Sequence, residues 1–264
     1  MRLHDDLTNY AEFLLDVGED RVRKEDGSNL IQLPATMVSS SFEDCMHWIY
    51  PTFDVPFDSF SSRAILAPNN KMVRQINNDC ISRFPGALHE YLAIDDVPDN
   101  VDPTHYPPEM LNTLEFSGIP PFRLQLKVGS PFMVLRNINT PQLCNGTRLI
   151  VVSLHDNLLV GRITSGMCKD DIVMIPRMTL TASDHDGIPL RRRQFPVQSC
   201  FAMTIHKAQG QTLDRVLVHL EEAIFDHGQL YVALSRVTHR NGVRVFLPDG
   251  TNNTQNIVLH SMLE

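Results

Sequence analysis

Apolar residues recur along the first sixty positions with the spacing of helices and short strands. Five of them fall on one helical face near the start: Leu3, Leu7, Tyr10, Leu14 and Val17. Since Gly18 follows at a natural stop, the pattern predicts an amphipathic helix at the start of the chain. Asp26-Gly27 then predicts a turn, residues 30–33 a short strand, and residues 42–49 a second helix.

A strand-loop-helix unit follows from position 64. Residues 64–67 are apolar and of strand length, Pro68-Asn69 predicts a turn and a helix cap, and a helical face continues to residue 84. In such units the loop after the strand faces the ligand side of the sheet. Asn69 is therefore a candidate contact for phosphate or nucleic acid, and a simple helix cap is the alternative.

The middle of the chain has the pattern of short strands. Alternating or apolar runs at five places are separated by turns of Gly, Asp and Asn: 122–126, 132–135, 149–152, 158–163 and 172–175. This spacing predicts a small barrel or sandwich of the SH3 or OB kind. Strand and helix patterns return from residue 201, so the order is that of an α/β domain with an all-β insertion.

Two flanking segments carry unusual composition. Residues 95–108 are acidic and proline-rich, which predicts an exposed excursion or linker. Arg191-Arg192-Arg193 precedes the second α/β part, where it predicts either a basic patch facing a groove or a solvated turn.

Composition narrows the class of protein. Of 264 residues, 42% are hydrophobic and 20% charged, as in ordinary soluble globular proteins. No apolar run approaches the ~20 residues that span a bilayer, and the start lacks the apolar core of a secretory signal, so we expect an intracellular protein without a membrane partner. The five cysteines form no CxxC or Cys/His cluster, which gives no support to a metal site or a disulfide framework.

The net charge of -8 is unevenly distributed. Residues 1–120 hold 20 acidic and 8 basic residues, whereas residues 121–264 hold 11 and 15. A mildly basic second part allows a local phosphate-binding face on an acidic chain, and a solvated surface is the alternative.

Two polar blocks near the end carry the candidate chemistry. In the first, Thr204, His206 and Lys207 bring a hydroxyl, an imidazole and an ammonium close together, and Gly210 allows the backbone to approach a ligand. This donor-rich set suits phosphate or a nucleic-acid backbone, and a polar loop with a glycine stop is the alternative. The apolar run 216–218 predicts a strand between the blocks, so both are expected at sheet ends.

The second block is the predicted short helix 229–236, which ends in Arg236. An arginine at the end of a buried helix suits a finger directed at a nucleotide γ-phosphate. A cation that caps the helix C-terminus and a structural ion pair are the alternatives.

Together these segments resemble the Pif1-like helicases of superfamily 1, in its Helitron-associated branch. The similar segments cover motif IV, the inserted 2B domain, the run before motif V, motif V and motif VI, in the order 64–84, 126–137 with 143–148, 191–196, 201–212 and 229–236. The resemblance implies an α/β fold: a RecA-like second motor domain of the P-loop NTPase type, called 2A, with an inserted small SH3-like β-barrel.

The resemblance also implies domain boundaries and an activity. Residues 1–60 would join the first motor domain, 61–114 and 199–264 would form domain 2A, and 115–198 would form the 2B insertion. Such enzymes use ATP and Mg²⁺ to unwind DNA with 5′ to 3′ polarity in repair, recombination and telomere maintenance. The implied partners are single-stranded or forked DNA and a first RecA-like motor domain, in a nuclear or mitochondrial setting.

Site roles follow from the same resemblance. Arg236 would be the catalytic finger acting on ATP bound by the other motor domain. The residues facing the nucleotide would be Gly210, Gln211 and Gln229, and those facing DNA would be Thr204, His206, Lys207, Asn69 and Asn145.

The chain departs from the family at two motifs. No glycine is followed by lysine and no aspartate by glutamate, so the P-loop and the DE pair of motif II are absent from it. We therefore expect a C-terminal half that does not hydrolyse ATP alone. A non-catalytic module that binds single-stranded DNA, or a remnant of a transposon, is the competing interpretation.

Overall fold

The computed structural model describes residues 2–22, 29–53, 58–99, 101–182, 187–259 and 261. The turn expected at Asp26-Gly27 and the side chains of Leu3 and Leu7 lie outside the described part.

Helices and strands alternate at both ends of the chain and strands dominate its middle. The α-helices are α1 Arg2–Gly18, α2 Phe42–Ile49, α3 Asp58–Ser61, α4 Asn70–Arg83, α5 Pro108–Leu111 and α6 Gln229–Leu234. The strands are β1 Leu30–Gln32, β2 Val38–Ser39, β3 Arg63–Ala67, β4 His89–Leu92, β5 Ile94–Asp96, β6 Arg123–Leu126, β7 Pro131–Val134, β8 Arg148–Leu154, β9 Leu158–Ile163, β10 Ile172–Pro176, β11 Met178–Thr181, β12 Arg191–Gln194, β13 Val197–Ser199, β14 Ala202–Thr204, β15 Arg215–His219, β16 Val243–Phe246 and β17 Asn253–Gln255. Short 3-10 helices include Ile205–Ala208 and Arg240–Gly242.

The chain forms two compact units. Residues 1–53, 62–76 and 201–264 form the first, called here the α/β unit, and residues 54–61 and 77–200 form the second, called the β unit. The domain boundaries drawn from the sequence stay a prediction.

A parallel sheet organises the α/β unit. Its strand order is β14-β3-β15-β16-β2, and each neighbouring pair is parallel. Parallel strands are covered on both faces, which is why residues 64–67 and 216–218 read as unbroken apolar runs and are fully buried. The predicted strands at both places are confirmed.

Helix caps, and hydrogen bonds between residues that are distant in the sequence, hold the elements around this sheet in place. Ser41 caps α2 by accepting a hydrogen bond from the Asp44 amide at 3.2 Å. The predicted first helix is confirmed as α1, whose Tyr10 hydroxyl donates to the carbonyl of Leu234 at 2.7 Å. Helix α1 is thereby attached to the end of α6.

Antiparallel sheets make up the β unit. Five strands pair in the order β10-β9-β8-β7-β13, three in the order β11-β12-β5, and β4 pairs with β6. The predicted short strands are confirmed. Strands β10 and β13 end the larger sheet without pairing to each other, so the described strands form an open sheet, and closure into an SH3-like barrel stays a prediction.

The arginine tract forms strand β12 of this unit, so the solvated turn was the wrong expectation for it, while a basic patch facing a groove stays a prediction. Strand β12 pairs with β5, which places Arg192 directly opposite Asp95. Their side chains are 1% and 0% exposed. Asp95, at the start of the acidic segment expected as an excursion, thus supplies a buried carboxylate to Arg192, because each buried charge requires an opposite one.

Candidate functional site

The carboxyl ends of β14, β3 and β15 are followed by the loops that hold most of the predicted site residues. Thr204 pairs with Ala67 at the ends of β14 and β3, and His219 ends the neighbouring strand β15. Ligands of open parallel sheets bind outside this edge. The structure therefore brings the two polar blocks and the loop after β3 to the edge where a ligand is expected.

Asn69 acts as the cap of α4. Its Oδ1 accepts a hydrogen bond from the Met72 amide at 2.9 Å, and its Nδ2 donates to Oε2 of Glu222, in the loop after β15. The cap interpretation is thus observed, while a contact with nucleic acid stays a prediction.

Gln229 is buried at the start of α6, with 1% of its surface exposed. Its Oε1 accepts from the Phe225 amide at 3.0 Å, and its Nε2 lies 3.5 Å from the carbonyl oxygen of Pro68. The side chain therefore links the loop after β15 to the loop after β3. Its amide thus holds the two loops together, and its contact with a nucleotide stays a prediction.

The loop after β14 begins with the 3-10 helix Ile205–Ala208 and turns at Gly210. Gly210 has a φ of +79°, and no atom lies within 4 Å of where a Cβ would stand. It is thus a left-handed position with open space beside it, at which a ligand could approach the backbone. Gln211 holds the turn by donating from Nε2 to the carbonyl of Lys207 at 3.0 Å.

The side chain of His206 contacts that of Asp226, which precedes α6, and both are exposed. The His206 Nε2 and Asp226 Oδ2 atoms are 2.9 Å apart, and their side chains are 50% and 54% exposed. The His206 ring and then the His227 amide hold the pKa of Asp226 below its ordinary value. The imidazole is thus reachable from solvent and already has one anionic partner.

Arg236 joins the two polar blocks. Its Nε donates to the Val232 carbonyl at 2.7 Å, and its Nη1 lies 3.3 Å and 3.1 Å from the carbonyl oxygens of Ala208 and Gln211. Its Nη2 donates to the Ser235 hydroxyl at 2.7 Å. Burial lowers its pKa, although an arginine remains protonated.

Through these contacts the Arg236 cation caps carbonyl groups at the end of α6 and in the loop after β14. Of the alternatives that the sequence left open, this structure shows the capping one. The part of the chain that the structure describes offers this guanidinium no carboxylate partner. The finger role stays a prediction.

The chain is similar to proteins of known name. The family model described as DNA helicase Pif1, 2B domain, matches residues 109–154. The ATP-dependent DNA helicase PIF1 of Homo sapiens is 34% identical over 173 residues, which cover 64% of this chain and 25% of that protein. The Xenopus laevis protein of the same name is 32% identical over 173 residues, with the same shares.

The aligned part of the chain is similar to the Pif1 helicases. It corresponds to the C-terminal region of these helicases and includes their 2B domain. The chain spans about a quarter of the length of these two relatives.

Solved Pif1 structures share the fold. A crystal structure of the Candida albicans Pif1 helicase superposes with a TM-score of 0.60 at 22% identity, covering 90% of this chain and 53% of that one. The Bacteroides Pif1 helicase in complex with ADP-AlF3 and ssDNA superposes with a TM-score of 0.55 at 22% identity, covering 84% and 52%. The α/β expectation is thereby confirmed as the mixed α/β, RecA-like fold of Pif1 helicases.

Asn145 lies within the segment that matches the Pif1 2B model. It is exposed in the turn between β7 and β8, and its amide donates to Oδ1 of Asn137 at 2.8 Å. It belongs to the β unit, whereas the polar cluster at the edge of the parallel sheet belongs to the α/β unit.

Three acidic residues beside the Pif1-like blocks were missed by sequence reasoning: Glu221, Glu222 and Asp226. They follow the buried strand β15, and two of them bind predicted site residues. Polar residues directly after an apolar strand are a signal that could have indicated them.

Within the described ranges, no three His, Cys, Asp or Glu side chains group as metal ligands do. None of the helices in those ranges has the length and apolar character needed to cross a bilayer.

Proposed function

We propose that this chain supplies the second motor domain and the 2B insertion of an ATP-dependent DNA helicase that unwinds DNA with 5′ to 3′ polarity. The observation that carries the proposal is Arg236, whose guanidinium contacts carbonyls of Ala208 and Gln211 and so couples the first polar block to α6. Its relatives are named ATP-dependent DNA helicases, and one solved Pif1 relative holds ADP-AlF3 and ssDNA.

Roles divide along the edge of the parallel sheet. Arg236 acts on ATP held by a first RecA-like motor domain, in the same chain or in another, and Mg²⁺ is held by that domain as well. A guanidinium and the open backbone at Gly210, with Gln211 and Gln229 beside them, fit the phosphate end of a nucleotide as donors. ATP supplies the free energy for unwinding when it is bound there.

The DNA-facing part is the first block, because His206 is exposed and Lys207 half-buried there, while Thr204 is only 8% exposed at the end of β14. Thr204, His206 and Lys207 with Asn69 face single-stranded or forked DNA, and Asn145 adds a contact from the 2B insertion. The domains run 1–60, 61–114, 115–198 and 199–264, and the insertion is of the SH3-like kind. We place the protein in the Helitron-associated branch, in nuclear or mitochondrial DNA repair, recombination or telomere maintenance.

One observation favours a second candidate function. The chain contains neither Gly-Lys nor Asp-Glu, so by itself it has no phosphate cradle and no magnesium-binding pair. A non-catalytic module that binds single-stranded DNA, or a transposon-derived remnant, would need neither.

The transcript upstream of the Met1 codon separates the two candidates. An in-frame P-loop and DE pair there would support the helicase, and their absence would favour the module. In the longer protein, Arg236→Lys should lower DNA-stimulated ATP hydrolysis by about 10³-fold or more. Arg21→Lys is the matched control, since Arg21 pairs with Asp16 and Glu19 at the surface.

Two measurements on the 264-residue chain complete the test. We expect no helicase-like ATP turnover with Mg²⁺, and robust turnover would contradict the proposal. Binding to single-stranded DNA should weaken by about tenfold or more as salt rises, because a groove that tracks phosphates releases counterions. Salt-insensitive binding would favour a remnant.

A further inference from the structure

A cavity of about 230 Å³ lies beside Trp48 in the α/β unit, away from the carboxyl edge of the sheet. We call it the arginine pocket, and it is lined by Thr36, Met37, Trp48, Arg240, Asn241, Val243 and Arg244. Val243 and Arg244 begin β16, so the pocket lies at the amino end of that strand. The polar part of its lining consists of two guanidinium groups, a hydroxyl and a carboxamide, and none of the described residues that line it carries a carboxylate.

Stacking on Trp48 orients one of these guanidinium groups. The Arg244 Cζ atom lies 4.9 Å from the centroid of the Trp48 ring. When a guanidinium stacks on an aromatic ring, the flat face of the guanidinium contacts the ring. The N–H donors, which lie in the plane of the guanidinium, stay available for an anion. Within the described ranges, Arg244 donates to no protein acceptor, whereas Arg240 gives one hydrogen bond, from Nη2 to the Thr36 hydroxyl at 2.8 Å.

Two more arginines stand close by with a clear structural task. Arg63 and Arg215 donate to the carbonyls of Ile49 and Trp48 at the end of α2, both at 3.1 Å. Cations at a helix C-terminus stabilise it. This task accounts for these two residues, but it does not account for Arg240 and Arg244.

The two arginines that cap α2 add to the positive charge near the pocket. Arg63 and Arg215 are directly opposite each other in the register of β3 and β15. Burial and then the charge of Arg215 lower the pKa of Arg63, and Asp214 offsets this in part. Like charges at opposed positions destabilise a sheet, so a bound anion would relieve a repulsion that the fold otherwise carries.

We propose that the arginine pocket binds a phosphate group through Arg240 and Arg244, with Thr36 and Asn241 as neutral donors. Phosphate suits this lining because its oxygens accept from several directions and match the planar forks of two arginines. The group comes either from the backbone of single-stranded DNA or from free phosphate. The pocket is separate from the edge that carries the proposed helicase chemistry, so its occupancy does not depend on ATP hydrolysis.

The single tryptophan makes the pocket directly observable. Trp48 is the only tryptophan in the chain, so emission excited selectively at tryptophan, away from the five tyrosines, reports on the pocket. The 264-residue chain is titrated with inorganic phosphate, and separately with a thymidine oligonucleotide without terminal phosphates, by emission and by calorimetry. Potassium chloride at matched ionic strength is the blank. We expect saturable binding of phosphate that the chloride blank does not reproduce.

Variants decide whether the arginines hold the anion. Arg244→Gln should weaken phosphate binding at least tenfold. Arg244→Lys should weaken it less, because the charge stays while the fork is lost. Arg21→Gln removes an exposed arginine elsewhere in the unit and should leave binding unchanged. Thermal unfolding of each variant establishes that the fold is intact.

Competition distinguishes the two sources of phosphate. If the oligonucleotide displaces inorganic phosphate, the source is DNA, and if both bind without competing, it is free phosphate. The proposal is wrong if neither probe gives saturable binding, or if a folded Arg244→Gln variant binds phosphate as tightly as the unaltered chain. Lys207→Gln should leave phosphate binding intact, so failure of the proposed helicase function is recognised separately.

Discussion

The two units use their charged residues in opposite ways. In the β unit, the Arg192 fork meets both carboxylate oxygens of Asp95, at 2.8 Å and 2.6 Å, with both side chains almost fully buried. At the edge of the α/β unit, His206 and Asp226 share one contact and remain about half exposed. A charge whose donors are all used inside a fold stabilises that fold, whereas a half-exposed one can still exchange its partner for a ligand.

Arg236 stands between these two cases. It is partly buried, whereas Arg192 is almost fully buried, and it donates only to neutral oxygens, with no opposing charge in the described part of the chain. A guanidinium on carbonyls retains its full positive charge for a nearby anion. This is the arrangement that a residue directed at an incoming phosphate requires.

The largest effect is expected from Arg192→Ala. The change leaves the Asp95 carboxylate buried without its partner and removes donors from the carbonyls of Leu111, Leu114 and Pro120. Loss of one partner from a buried pair costs about 3–5 kcal/mol of the free energy of unfolding. Urea denaturation followed by circular dichroism measures it.

Two variants test the reason for that loss. Arg191→Ala should have a much smaller effect, because Arg191 pairs with the exposed Asp96 and Asp99. Replacing both members of the buried pair, as Arg192→Met with Asp95→Leu, should recover much of the stability. Equal losses of stability from Arg191→Ala and Arg192→Ala would show that the buried ion pair contributes no more to stability than the exposed one.

Apolar periodicity was enough to predict most of the fold. The buried runs at 64–67 and 216–218 became β3 and β15, and the run at 158–163 became β9 with the predicted bounds. These elements are determined by local pattern and burial, which the sequence records directly. Strand pairing was out of reach, because Asp95 and Arg192 are 97 positions apart and nothing local marks them as partners.

The candidate site was predictable as a set of residues and not as a set of contacts. The blocks around His206 and Gln229 were placed at sheet ends, and the structure confirms their position. Sequence alone left open whether Arg236 caps a helix or faces a nucleotide, since that depends on which carbonyls the fold brings to it. The acidic partners Glu222 and Asp226 were missed for the same reason.

His219 is a buried titratable group in the α/β unit, and we expect its protonation to have an intermediate effect on stability. The Phe42 and Phe246 rings lie 4.9 Å and 4.8 Å from its ring, and its Nδ1 has no hydrogen-bond partner in the described structure. Burial lowers its pKa from 6.5 to about 4. The unfolded chain therefore takes up the proton first, and stability is lost as pH falls from about 6.5 to about 4, by up to about 3 kcal/mol.

The His219→Phe variant tests this linkage. It retains an aromatic ring without a titratable nitrogen, so the difference in unfolding free energy between pH 7 and pH 4.5 should shrink. His47→Gln alters an exposed histidine of α2 and should retain the full acid loss. An unchanged pH dependence in His219→Phe would assign the acid sensitivity to other groups.

The smallest change in stability is expected from Asp226→Asn at the exposed edge. Its carboxylate contacts the His206 ring and the His227 amide and is open to water, so the midpoint of urea unfolding should not move measurably. Affinity for single-stranded DNA should instead rise modestly, because a negative charge is removed beside a loop proposed to face phosphates. Asp249→Asn, at an exposed turn after β16, is the control and should change neither quantity. A large loss of stability in Asp226→Asn would show that the contact between His206 and Asp226 stabilises the fold, as the buried pair of Arg192 and Asp95 is expected to do. The two units would then not differ in how they use their charged residues.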